Sequence, residues 1–306
     1  DQLNIGYAPT RPSNPDLKWE ALKTTDVGFD AVIFHDFNVT FDLYNKKTTG
    51  MLMLLQIPYY AGYTNQPYAN VGDMVNKGVE LELGWRKTIG DFHLDLSGNI
   101  SYNKNEVTYL GQTAYLDAGS FQASSYPLQR TQVGHPAFEF YGFKEIGVFQ
   151  NQAQINAYQK NGTPIQPNAK PGDFIWQDTN GDGKIDQSDR TFLGDYLPKW
   201  IYGITFNPSY KNFDLKIFGQ GAWGNKVFEG YRRLDVQKAN YPIEALNAWT
   251  PSNPSSTYPR LSDNDPNGNF KNPSNFYLHN GGYFRIRQLR SVIMYQKLVA
   301  HADIKP

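Results

Sequence analysis

The chain has 306 residues, with 29 basic against 29 acidic side chains and no cysteine. This excludes a disulfide framework, a thiolate metal site and a cysteine nucleophile, and the balanced charge leaves no electrostatic footprint for nucleic acid. Aromatic residues reach 15 %, and tyrosine leads with 21 copies, which suits surfaces that are apolar at one end and wet at the other.

The opening stretch, DQLNIGYAPTRPSNPDLKWE, has neither a basic nor an apolar leader segment and reads as a loop. The chain is therefore expected to be a piece of a longer protein or a processed product. Strands are predicted over Lys18–Ala31 and Phe37–Thr48. In the second, Phe37, Val39, Phe41 and Leu43 share one face, and Asn38, Thr40, Asp42 and Tyr44 share the other. The run Met51–Ile57 is the most apolar in the chain but too short to cross a membrane as a helix. In Met74–Thr88, Val79, Leu81, Leu83 and Trp85 oppose Glu80, Glu82 and Gly84; in Asp91–Asn103, Phe92, Leu94 and Leu96 oppose His93, Asp95 and Ser97. Short helical pieces are expected near Asn151–Asn161 and Ile243–Trp249, inside long loops. In Trp200–Tyr210, Tyr202, Ile204 and Phe206 oppose Gly203, Thr205 and Asn207; in Phe213–Trp223, Phe213, Leu215 and Ile217 oppose Asp214 and Lys216; a last strand is predicted over Tyr283–Tyr295.

Several of these strands run to about 11 to 15 residues, against about 5 to 6 in soluble proteins, and a membrane strand needs about 9 to 11. Tight connections (VIFHD after Ala31, IG after Thr88, KN after Tyr210) alternate with long ones (Thr49–Asp73, Lys104–Lys199, Gly224–Gly282). Transmembrane barrels have this asymmetry, with short periplasmic turns and long extracellular loops. The fold class expected is all-β, an antiparallel transmembrane barrel portion of about seven strands. Its apolar faces would meet lipid; Asp42, Glu80, Glu82, His93, Asp95, Asp214 and Lys216 would line the lumen. Seven strands cannot close alone, because unpaired edges have no partner in hydrocarbon. The alternative is a soluble or surface β-rich glycan-binding module containing calcium.

DTNGDGKIDQSD (Asp178–Asp189) places oxygen ligands at calcium-loop spacing. Asp178, Asn180 and Asp182 take positions one, three and five; Lys184 offers its carbonyl at seven; Asp186 and Asp189 take nine and twelve. Gly183 stands at the sharp turn and Ile185 supplies an apolar anchor. Asp189 replaces the usual glutamate, whose longer reach secures a bidentate contact. Without flanking amphipathic helices the expected role is a structural Ca²⁺ that stiffens an external loop, with a metal-free acidic turn as the alternative. No catalytic site is expected. His35, His93, His135, His279 and His301 show no metal spacing, and Glu80 and Glu82 read as lumen lining. The glycines of GQGAWGN (Gly219–Asn225) are expected to permit bending at the barrel rim. Tyr59, Tyr60, Tyr63, Tyr68, Trp249, Tyr258 and Phe270 lie in the long loops, either as surfaces for stacking on sugars or peptides or for contact with a partner protein, or as an interfacial aromatic girdle or loop packing.

NPDLKWE leading into TTDVGFDAVIF, NVTFDLYNKKTTGMLM, VGDMVNKGVELELGWR, GDFIWQDTNGDGKIDQSDRTFLGDYLPKWIYGITF and HNGGYFRIRQLRSVIMYQKL together resemble the SusC/RagA group of TonB-dependent outer-membrane transporters. The resemblance spans nearly the whole chain. It implies that residues 1–306 are a carboxy-terminal section of a plugged barrel of 22 strands, holding the fourteenth to the twentieth, with the plug domain and the final strands outside this chain. It also implies a place in the bacterial outer membrane and import of oligosaccharides or peptides. The implied partners are a SusD-like lipoprotein, TonB acting through the amino-terminal plug, and outer-membrane lipid.

Overall fold

Alternating segments joined by tight turns pair with their sequence neighbours, and here they do so along one continuous sheet. The computed structural model describes residues 10–55, 60, 62–63, 65–122, 124–230 and 240–294; Ile57, Tyr59, Tyr295 and His301 lie outside the described residues. Seven strands form an antiparallel meander in chain order: β1 (Ala21–Ile33), β2 (Phe37–Leu54), β3 (Tyr68–Ile89), β4 (Phe92–Tyr109), β5 (Trp200–Tyr210), β6 (Phe213–Trp223) and β7 (Tyr283–Ile293). The fold is all-β, as expected, and β1 and β7 are the edges of a sheet that does not close on itself. Each tight turn needs a left-handed residue, supplied by Phe34 and His35, by Gly90 and by Lys211.

Three strands run further into the long-loop end than alternation predicts. The ladder continues to Leu54, begins at Tyr68 and reaches Tyr109. Alternation fails in these extensions because bulges interrupt the register near Met51 and Met74, and a bulge shifts side chains off the period of two. Backbone pairing survives where the sequence pattern does not.

The register assembles rows of one chemistry. Phe29, Phe41, Leu81, Ile100, Tyr202, Gly221 and Phe284 stand opposite one another across all seven strands. The row one residue away is Asp30, Thr40, Glu82, Asn99, Gly203, Gln220 and Arg285. The apolar face is uncovered: Val27 is 68 % exposed, Phe29 57 % and Leu289 71 %. The partition has exceptions, since Ile201 pairs with Ser101 and Phe218 with Thr205 on the polar register. Gly219 and Gly221 lie inside β6 rather than at its rim. A side chain at Gly219 would overlap the Phe284 ring, and one at Gly221 the Tyr202 ring. These glycines make room for aromatic neighbours, which corrects the bending expected of them.

The buried core lies in the loops. Among the described residues, Ala69, Val107 and Ala222 are the buried apolar residues that belong to the long strands; the other described ones sit in loops 110–199 and 224–282, which fold together. A six-residue helix, α1 (Gln152–Ala157), starts at Asn151, whose side chain accepts the Gln154 amide at 3.0 Å. A 3₁₀ turn spans Ile243–Asn247. Both fall where helical pieces are expected.

Candidate functional site

The two long loops make one body on the long-loop end of the sheet. Its centre packs Phe143, Val148, Phe174, Trp176 and Trp249, with Ile185 against them. Trp249 comes from the second loop and the other five from the first, so neither loop completes this cluster alone. Gly172 adopts φ +92° and lies so close to the Trp249 ring that a side chain there would overlap it. A second cluster joins Ala248, Tyr258 and Phe270. Trp249, Tyr258 and Phe270 are therefore packing residues, and the stacking surface considered for them is not formed. Tyr60, in contrast, is 91 % exposed.

A buried polar network ties the loops together. Arg260 donates to both carboxylate oxygens of Asp173, at 2.7 and 3.2 Å. Asn269 Nδ2 donates to Asp173 Oδ1 at 2.9 Å while its own Oδ1 accepts the Phe174 amide at 3.0 Å. The Asp173 side chain is wholly buried, and a buried carboxylate needs such partners because it has lost its water. Asp265 accepts three consecutive backbone amides, from Asn269, Phe270 and Lys271, each at 2.8 Å. Burial raises the Asp265 carboxyl above its ordinary range despite these bonds, and burial likewise raises Glu145. Sequence reading missed Asp173, Arg260, Asn269 and Asp265. The Asp/Asn density of SDNDPNGN is a turn signal, but it does not say which side chain turns inward.

The acidic turn lies on this body. Asp178 accepts the amides of Asp182 (3.1 Å) and Gly183 (2.9 Å), and Asn180 Oδ1 accepts the Asp182 amide at 2.9 Å. Asp182 Oδ1 accepts the Lys184 amide at 3.1 Å, and Asp186 Oδ1 the Ser188 amide at 2.8 Å. Asp189 is fully buried, and its two oxygens take the amides of Thr179 and Asp186 at 2.8 Å each. Gly183, at φ +91°, makes the sharp turn, and Lys160 Nζ donates to the Gly181 carbonyl. The Lys184 ammonium lies 2.8 Å from Asp186 and 3.8 Å from Asp182. That bond and the Ser188 amide hold the Asp186 carboxyl down to about 2. All six predicted residues thus belong to one turn. Among the described residues, however, no three acidic or histidine side chains converge at metal-binding spacing. The donors are all oxygen, which fits a hard cation, and each carboxylate keeps lone pairs beyond its amide bonds. Lys184 already neutralises part of the cluster.

Beneath the body, the polar face of the sheet carries an acidic surface. Thr40, Asp42, Glu80, Glu82, Asn99 and Ser101 line a shallow cavity of about 190 Å³. Thr40 Oγ1 donates to Asp30 at 2.6 Å, and Tyr44 donates to Asn103 at 3.1 Å. Asn105 donates to Asn76 at 2.9 Å and accepts the Ala137 amide at 3.0 Å, so the loop body touches this face.

A sheet of long antiparallel strands, bare and apolar on one face, polar on the other and topped at one end by a folded loop body, defines a portion of a transmembrane β-barrel. Comparison places it more narrowly. Residues 1–286 match the model of the TonB dependent receptor-like β-barrel family, and the chain belongs to that family, whose place is the bacterial outer membrane. It is 30 % identical over 295 residues to TonB-dependent receptor P3 of Formosa agariphila, covering 94 % of this chain and 28 % of that receptor. It is 27 % identical over 303 residues to TonB-dependent receptor SusC of Bacteroides thetaiotaomicron, covering 95 % of this chain and 28 % of SusC. Its fold is similar to the RagAB peptide importer in the open-open state, with TM-score 0.74, 21 % identity, and coverage of 99 % of this chain and 31 % of that one. The chain therefore spans less than a third of the proteins it matches.

Proposed function

We propose that this chain forms part of the wall and external loops of a TonB-dependent importer of oligosaccharides or peptides. A SusD-like surface lipoprotein would seat on the loops, and TonB would act through an amino-terminal plug. The observation that carries this is the loop body stitched through Asp173 and Arg260, a rigid platform on the side where a barrel meets the outside. Likeness to SusC and to a RagAB peptide importer supports the substrate classes. The test is growth of the native bacterium, with and without the receptor gene, on single oligosaccharides or on protein hydrolysate. It is coupled to affinity capture of the tagged receptor from outer membranes. Substrate-restricted growth loss and a co-captured surface lipoprotein are expected; unimpaired growth on every such source, with no lipoprotein captured, contradicts the reading.

Calcium at the acidic turn belongs to the same proposal. The side chains of Asp178, Asn180, Asp182, Asp186 and Asp189, with the Lys184 carbonyl, would hold it, and the ion would crosslink the loop. The supporting observation is the all-oxygen donor set with Ile185 anchored in the loop core. Receptor stripped with chelator should regain protease resistance across 178–189 on addition of calcium, at about 10⁻⁴–10⁻³ M. Asp178→Ala with Asp182→Ala should abolish the gain, and equal resistance with and without calcium argues for the metal-free turn.

A further inference from the structure

Above the apolar rows, the lipid-facing side of the sheet changes character along one line. On β1 to β4 the outward positions next beyond Val27, Leu43, Val79 and Tyr102 become lysine, threonine and asparagine. Lys23 stands directly opposite Lys47, and Lys77 directly opposite Lys104. All four are exposed. The carboxylate among them is Glu106, 2.7 Å from Lys104. Like charges facing across a ladder are unfavourable; Glu106 offsets Lys104, and the positive charge left on the other lysines of the patch favours a further anion. They lie on the outer leaflet side, because the long loops leave from this end.

A groove opens below them on the same face. It has a volume of about 540 Å³ and is lined by Leu81, Leu83, Ile100, Ile204 and Phe284 around Gly98. The groove begins at Ile100, four residues down β4 from Lys104, or about 13 Å along the strand.

We propose that these lysines and the groove form a site for an outer-leaflet lipid with a phosphorylated headgroup, the phosphate held by the lysines and an acyl chain lying in the groove. Lysine binds phosphate as a point charge, and basic clusters at a membrane surface select anionic headgroups. The charge pattern and the apolar cavity are separate observations that point to the two ends of one molecule. The site is distinct from the lumen and does not depend on what the barrel transports.

The test uses the full receptor extracted in mild detergent, with co-purified lipid identified by mass spectrometry and its phosphorus measured. Lys23→Gln, Lys47→Gln, Lys77→Gln and Lys104→Gln together should lower retained phosphorylated lipid at least about ten-fold. Gly98→Leu, which fills the groove while leaving the lysines, should lower it too. A control lacking the same charge elsewhere (Lys46, Lys144, Lys216 and Lys271, each to Gln) should retain the wild-type amount. All three are compared at equal heat-modifiable gel mobility, so that folding is held constant. Wild-type lipid retention in the four-lysine variant overturns the proposal, as does bound phosphorus that is inorganic phosphate without lipid.

Discussion

With its carboxylate wholly buried and shared by Arg260, Asn269 and the amide of Lys170, Asp173 holds two loops that are far apart in sequence. Removing it leaves a mostly buried guanidinium, 19 % exposed, without its counter-charge. Asp173→Ala should therefore cost the loop body about 3–5 kcal/mol, read as faster proteolysis of 143–176 and 248–277 while the barrel strands stay protected. Asp186 carries the pH dependence of the acidic turn. Its folded pKa of about 2 lies below the ordinary carboxylate value, so its contribution is complete above about 4 and is lost as pH falls through about 2. Lys184→Gln removes the largest cause of that depression, and acid opening of the turn should begin nearer pH 4. Pepsin cutting within 178–189 across pH 2 to 5 measures the shift; identical cutting profiles for the two proteins contradict it.

Each long strand has two faces with opposite tolerances. Ten residue steps of outward apolar side chains on β4, from Phe92 to Tyr102, rise about 33 Å along the strand, or about 25 Å at a tilt of about 40°. That matches the height of a barrel's apolar band. Leu81→Arg should destabilise by about 2–4 kcal/mol, while the neighbouring Glu82→Arg should be close to neutral, both by chemical unfolding in lipid. Equal costs would mean that the two faces meet the same medium. This part of the fold was legible because lipid penalises one parity and spares the other, and the penalty is written residue by residue into FNVTFDLY or GVELELGW. The loop core was not. Phe174 and Trp176 sit on a strand of 3 residues paired with Glu145–Val148, and they meet Phe143 and Trp249 across irregular loop segments; a strand that short shows no readable period. Gly219 and Gly221 were misread for a related reason: the rings they accommodate are on neighbouring strands, Phe284 on β7 and Tyr202 on β5. The acidic turn was legible as a turn, since spacing alone fixes which residues share a loop. The buried seat of Asp189 and the ammonium of Lys184 beside Asp186 were not, because both depend on side-chain direction.

For the whole molecule, the sheet is an arc whose outside is greasy and whose inside is wet, carrying a stiff platform at its outer end. Everything proposed here, from the import role to the lipid site, depends on that orientation. Because this chain contains no cysteine, its strands can be read one residue at a time in a full receptor freed of any others. Single cysteines at Val79, Leu81 and Leu83 and at Glu80, Glu82 and Gly84 on β3, in receptor reconstituted in bilayers, give the most direct measurement. The account predicts that labels at 79, 81 and 83 are quenched by brominated lipid and resist a charged thiol reagent, while 80, 82 and 84 react with that reagent and are not quenched. A reversed pattern, or one with no alternation, would contradict it.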